Sequence, residues 1–472
     1  MRLRVFLVVC VTCLLASHGW ALARPGGGGS YHGGSSTGGS TGGYHPSPTT
    51  PGVYAPSTGG GSLGPRGLLV FLGVVGVVVV LVVLARSRQA RSNQGSQYDA
   101  SAGQRASVSL GPLQGRDPAL TEQSIVDHVR PMADQLRNAW CAGDMLPARP
   151  FVSDGVYSRF QVQLALMRQE NRRNVMSEAQ VLFTTIEAVE DAAPLDVVHV
   201  RLTAQARDTE VPCTADDAQI QAALARANVA PYTEIWTLVR CTGAQTKQGD
   251  AQVGTACPKC GAPLAGGEML KCRYCGALVC SGEHDWVLGE ITQLEEWRPT
   301  ARRPPGLDAL RAVDPALAAE VLEDRASYLF WKWVEAGRAN HGAPLRKCAT
   351  PGLVASGARW EWTRGASDVS VGGSDVTQCA VGAPDGLDHV DVLVKWSARF
   401  QGSPQYTPCQ TVMRMVRKSG VQSKLSMTAL VCQACGAPVG DSDSTKCDHC
   451  GVELAAGDLA WVLGAVMQPG QS

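Results

Sequence analysis

Apolar residues recur at helical spacing near the start of the chain's first long patterned stretch. Ile125, Val129, Met132, Leu136 and Trp140 fall on one face of a helix. Asp117 stands ahead of them as a candidate N-cap, with Pro118 suited to the first helical position. Pro131, inside the run, is expected to kink it. A second helix is predicted from about Ser153, with Val156, Phe160, Leu164 and Met167 on one face. The period then changes. Residues 180–189, 196–206 and 231–240 read as strands, the second through its alternating Val198, Val200 and Leu202. A further strand resumes at Asp285–Ile291.

The same order returns. Asp-Pro-Ala-Leu at 117–120 recurs at 314–317, and Leu322, Ala326, Leu329 and Trp333 give a matching helix. Strands are predicted at 388–400 and 406–417, and Trp-Val-Leu-Gly at 286–289 recurs at 461–464. Matched features in one order indicate an internal duplication. The second copy lacks a clear second helix in residues 345–375. Helices first and antiparallel strands after them predict an α+β class.

The chain ahead of the duplication is patterned differently. Residues 1–23 read as a signal peptide, with Arg2 and Arg4, an apolar run and Ala21-Leu22-Ala23. Residues 24–66 are a Gly/Ser-rich segment that buries too little apolar surface to order itself. Gly67 to Ala85 carries no charge and is long enough for a transmembrane helix. Arg86, Arg88 and Arg91 follow at once, which places the C-terminal side in the cytosol and the Gly-rich segment outside. Residues 86–115 read as a tether, 116–297 as the first domain, 298–306 as a linker and 307–470 as the second, diverged copy.

Each copy carries one cysteine motif. Cys257, Cys260, Cys272 and Cys275 form the first, and Cys432, Cys435, Cys447 and Cys450 the second, both as CxxC-x11-CxxC. Every pair is followed by glycine, which a tight turn leaving through positive φ favours. Two facing knuckles supply the four thiolates of a closed structural zinc site. Two zinc ions are therefore expected, in zinc ribbons at 255–282 and 430–452. Of the 17 cysteines, Cys141, Cys213, Cys241, Cys280, Cys348, Cys379 and Cys409 show no spacing framework and read mostly as free thiols.

Charge narrows the function. With 42 basic and 42 acidic residues the chain has no electrostatic footprint for nucleic acid. Other candidates have plain readings. Asp154 and Tyr157 at i, i+3 are expected on a solvated helix face, and His199 on the open side of a strand. His284 and His449 lie beside already complete cysteine sets. Trp331, Trp333, Trp360 and Trp362 are expected in the core. Arg168, Arg172 and Arg173 form a small basic cluster, read as a solvated helix end.

Four stretches carry a family resemblance: "DPALTEQSIVDHVRPMADQLRNAW", "RPFVSDGVYSRFQVQLALMRQENRRNV", "YTEIWTLVR" and "WVLGEITQL". Together they resemble bacterial relatives of the membrane-tethering forty-four-kilodalton subunit of the mitochondrial inner-membrane import translocase. The resemblance covers residues 117–297 apart from the cysteine insert. It implies a cone of helices over a curved sheet, similar to nuclear transport factor two, with an apolar groove and no catalytic residues. Two tandem cone-shaped domains are thus expected after one transmembrane helix, each with a zinc ribbon inserted in its terminal hairpin. The expected function is a non-catalytic, membrane-tethered scaffold at the bacterial inner membrane, its cytosolic domains recruiting a polypeptide or partner protein. Two alternatives stand beside it. A basic stripe across both ribbons would favour an adaptor for nucleic acid or the ribosome. A cavity lined by two or more carboxylates would favour an enzyme of the cone fold.

Overall fold

The computed structural model describes residues 107–470, except 248–252, 265–269, 295, 298–303, 401–402, 404, 424–426, 428–429 and 441–443. Helix α1 spans Glu122–Ala142 and runs through Pro131. Its N-cap is Thr121, not Asp117: the Thr121 hydroxyl accepts from the Ser124 amide, and the Ser124 hydroxyl accepts in return. Asp117 lies one turn earlier and is needed elsewhere. Ser153 caps α2, Asp154–Gln169. Strands β1 (Arg172–Ala192), β2 (Leu195–Pro212), β3 (Val229–Cys241) and β4 (Val287–Gln293) form an antiparallel sheet in that order. Helix α3, Asp217–Arg226, which the pattern did not announce, bridges β2 and β3.

One face of this sheet packs against α1 and α2: Val198, Val200, Leu202, Trp236 and Leu238 meet Ile125, Met132, Leu136, Trp140 and Phe160. The other face, with Leu195, Val197, Val239 and Val287, meets Ala318 and Met427 of the second half. Burial on both faces explains why β2 is buried without a break from Leu195 to Ala204. Residues 107–115, expected in the tether, join this half: Leu110 and Leu113 are buried.

The second half opens with α4 (Leu307–Val313) and α5 (Ala319–Ala339). Where the first half has α2, this half has only α6, Pro351–Ala355, and a turn of 3-10 helix. Strands β5 (Ala366–Ala380), β6 (Leu387–Phe400), β7 (Tyr406–Lys418) and β8 (Val462–Met467) form a second antiparallel sheet in the same order. Strand β5 escaped the pattern, because its Gly372-Gly373 and bulges interrupt the period of two.

All the described residues belong to one compact unit, and α2 packs on α5 across the two halves. Val162 and Leu166 of α2 sit in the same apolar cluster as Leu329, Trp333 and Trp396, so the first half supplies the helix its partner lacks. Gly155 marks the closest approach: its amide donates to Asp324 Oδ1 of α5 at 2.9 Å. Among the described residues no helix is long and apolar enough to cross a membrane. The signal peptide, Gly/Ser-rich segment and span expected over 1–85 lie outside the described residues.

Candidate metal centres and the groove between them

In each half the third and fourth strands pair directly, and the cysteine module lies between them in sequence. Each CxxC forms a small turn. The amides of Gly261, Gly276, Gly436 and Gly451 donate to the carbonyls of Cys257, Cys272, Cys432 and Cys447 at 2.7–2.9 Å. All four glycines take φ of 68–73°, a region that costs glycine little and other residues more. The turns face each other as sequence spacing requires. Cys257–Cys275 and Cys260–Cys272 Sγ pairs are 3.7 Å apart; Cys432–Cys450 and Cys435–Cys447 are 3.8 Å apart.

Those separations decide between two chemistries. A disulfide needs sulfurs about 2.05 Å apart. A tetrahedron of thiolates around zinc, with bonds of about 2.3 Å, has edges of about 3.8 Å. The geometry is that of two four-thiolate metal sites, and both sets have all ligand atoms within 4.8 Å of one another. Backbone amides prepare them. The Cys275 and Tyr274 amides hold the Cys272 thiol down to about 6 against its burial, and those of Cys450 and His449 do so for Cys447. His284 and His449 take no part in either set.

Each module is rooted on a buried ionic cluster that the duplication repeats. Arg240, at the end of β3, pairs with Asp117 at 2.8 Å and Asp196 at 3.3 Å, and stacks 4.3 Å from the Trp286 ring. Arg417 pairs with Asp314 at 2.7 Å, approaches Asp388 at 3.6 Å and stacks 4.4 Å from Trp461. These groups are almost fully buried. Burial alone would raise the Asp117 carboxyl, but hydrogen bonds from Thr246 and Arg240 outweigh it and hold the group below the carboxylate range. The Asp of each Asp-Pro-Ala-Leu therefore anchors the strand that enters the module. The module's exit is fixed beside it, with Cys241 N donating to Gly282 O at 2.7 Å and Lys418 N to Gly457 O at 3.0 Å.

Between the halves lies an open groove of about 1090 Å³. Helices α2 and α5 wall it, through Val162, Ala165, Leu166 and Ala339. The modules complete it: Leu270 comes from the first, and Leu430, Pro438 and Val439 from the second. Its charged rim is Lys332, Glu335 and Arg338, with Arg149 deeper in the wall. Lys332 contacts Glu335 at 3.0 Å. Arg338 donates to Gln169 and the Ala366 carbonyl, both neutral, and among the described residues no carboxylate lies in ion-pair contact with it.

Several single candidates sit elsewhere than expected. Asp154 is buried, not on a solvated face; it pairs with Arg149 and accepts the Leu430 amide, which fastens the second module to α2. Tyr157 lies under the Arg149 guanidinium at 4.9 Å. His199 is also buried, between Thr237 Oγ1 at 3.0 Å and Glu190 Oε1 at 2.9 Å, because both sheet faces are covered. Arg172 is no solvated helix end: it contacts Glu170, Glu210 and, across the halves, Asp368. Trp331 and Trp333 are core residues, and Trp360 and Trp362 pack against that core. Among the described residues no cysteine is in a disulfide, and burial pushes Cys141, Cys241 and Cys280 up to about 11. The resemblance implied an apolar groove but not one shared by the two halves, and the Arg240 and Arg417 clusters were not read from sequence. The available signal was the Val-Arg that closes the third strand of both copies.

No protein-family model matches the sequence, and no curated protein matches it. One solved structure similar to part of the chain is an "Ntf2 like protein involved in plasmid conjugation". It is 9% identical, over 60% of this chain and 92% of that one, with a TM-score of 0.13. A likeness that low carries no argument for function. What stands is a two-halved α+β protein with two four-thiolate sites, each able to hold a metal ion.

Proposed function

We propose that this is a non-catalytic binding protein in which two structural zinc ribbons and two cone-type domains together grip an apolar segment of a partner polypeptide. The observation that carries the reading is the groove, which neither half forms alone and to which both ribbons contribute wall residues. Closed four-thiolate sites suit zinc in a structural role, since no coordination position is left for a substrate. Zinc here would fix the loops bearing Leu270 and Leu430, which are too short to hold a core of their own. Burial lowers the pKa of Arg338 against the pull of Glu170, and its side chain donates to neutral acceptors. The rim's cations, Lys332 and Arg338, outnumber its Glu335. The occupant is accordingly an extended apolar segment bearing acidic residues.

The resemblance of residues 117–297 to the import-motor tether agrees with a polypeptide-handling role. The uncharged run Gly67–Ala85 would tether these domains to the cytosolic face of the bacterial inner membrane. Protease added to spheroplasts then spares a C-terminal tag. The enzyme alternative has one feature in its favour, a cavity lined by four carboxylates, Glu290, Glu320, Glu323 and Asp324. At about 40 Å³ it is far below the size of a substrate pocket, roughly 300–1,000 Å³. Against nucleic acid, the chain's basic and acidic residues balance at 42 each, and Lys446 has Asp448 and Glu453 as near neighbours in sequence.

The test uses the full-length protein and a fluorescent synthetic peptide alternating Leu with Asp, read by anisotropy. Ala165→Trp, which fills the groove from an exposed position of α2, is expected to weaken binding at least about tenfold. Arg338→Gln is expected to erase the preference for Asp over Asn in the peptide. Equal binding by the wild type and Ala165→Trp overturns the reading.

A further inference from the structure

The carboxylate cavity lies between the halves. Glu290 reaches it from β4 of the first; Glu320, Glu323 and Asp324 reach it from the first turns of α5 in the second. Among the described residues Arg159 of α2 is the one basic residue that lines it, and it donates to the Ile291 carbonyl at 3.0 Å. Asp324 accepts the Gly155 amide at 2.9 Å, and Glu323 accepts the Val376 amide at 3.0 Å. Four carboxylates against one guanidinium leave an excess of three negative charges if all are ionised. The next groups outward do not cancel it. Glu190 on β1, Glu234 on β3 and Asp154 on α2 add negative charge, as does Asp375 on β5, which Lys395 of β6 pairs at 2.9 Å. His199 on β2 is engaged by Glu190, Arg149 by Asp154, and Arg311 lies on α4.

We propose that the two halves dock through protonated carboxylates at this cavity, so that raising the pH loosens the α2–α5 contact that also walls the groove.

The titration supports the geometry. Burial lifts Glu290 to about 7 and Asp324 to about 8, each aided by neighbouring carboxylates. Burial also raises Glu320, and carries Glu323 well above the usual range. A carboxyl raised on docking binds its proton more tightly when docked. Its contribution is complete below the undocked pKa of about 4 and is lost as pH climbs through the docked value. For Glu290 and Asp324 the loss runs from mildly acidic pH to about 8. Each carboxylate that releases its proton on opening multiplies the opening constant about tenfold per pH unit within its window. Helices α2 and α5 line both the cavity and the groove, through Val156 and Arg159 against Val162 and Leu166 on one, and Asp324 against Lys332 on the other. Loosening at the cavity therefore moves a wall of the groove. That consequence rests on the groove reading; the docking itself does not.

Hydrogen exchange on the full-length protein, without peptide and corrected for intrinsic rates, tests it at about pH 6 and about pH 8.5. Opening of segments from β4 and the start of α5 is expected to rise at least about tenfold at the higher pH, while β6 stays protected. Glu290→Gln with Glu323→Gln is expected to reduce that pH dependence to the part carried by Asp324 and Glu320, since both amides stay neutral. Equal protection at the two pH values overturns the proposal, as does an unaltered pH dependence in the double variant. If the double variant does not fold, the wild-type profile decides alone. No peptide enters the measurement, so the groove can fail while the latch stands, or the reverse.

Discussion

Gly155 offers the sharpest test of the packing between the halves. It lies in the first turn of α2, where a helix position normally gains from alanine. Helix propensity alone predicts that Gly155→Ala stabilises the protein, by up to about 1 kcal/mol. The structure predicts the opposite sign. A Cβ there would stand 2.4 Å from Asp324 Oδ1, 2.7 Å from the Asp324 carbonyl oxygen and 3.0 Å from Ser327 Cβ. The carbonyl belongs to the α5 backbone and cannot swing aside, so the helices must part by several tenths of an ångström. Overpacking of that kind costs about 1–3 kcal/mol. Parting the helices also stretches the Gly155–Asp324 hydrogen bond, worth about 1 kcal/mol. After the propensity gain is subtracted, a net destabilisation of about 2 kcal/mol remains. Denaturant unfolding of the full-length wild type and variant, with fluorescence from the buried Trp331 and Trp333, measures it. A variant as stable as the wild type, or more so, would refute the close approach and the docking argument built on it.

Three further outcomes follow from the sites. Purified protein is expected to contain about two zinc ions per chain by elemental analysis, and Cys272→Ser about one; a metal-free wild type with intact thiols would refute both sites. Arg240→Met leaves Asp117 buried without its cation, while Asp196 keeps Arg116 at 2.7 Å, and is expected to cost about 3 kcal/mol in an unfolding titration. Arg417→Met should cost a similar amount, through Asp314 and Asp388; a loss below about 1 kcal/mol at either position would show that the clusters are not the roots of the modules.

The amino-acid sequence by itself determined the local structure and the metal-site chemistry. The cysteine spacing and following glycines are short-range constraints, and they close the same way wherever the module is attached. The apolar spacing of α1 and α2 and the alternation of β2 are likewise local, so they were legible, as was the duplication through its Asp-Pro-Ala-Leu and Trp-Val-Leu-Gly ends. Features that depend on what covers a surface were not. His199 reads as solvent-facing from alternation, and only the second half, laid over that sheet face, makes it buried. Asp117 reads as a cap because capping is local, yet a guanidinium 123 positions away claims it (240 − 117). The missing second helix of the second half was visible, but not that α2 of the first supplies Val162 and Leu166 in its place. The groove, the carboxylate cavity and the Gly155 contact join residues far apart in the chain. Tertiary structure alone brings them together, because burial, and with it the strength of every charge and clash at these places, is set by the partner surface rather than by neighbours in sequence.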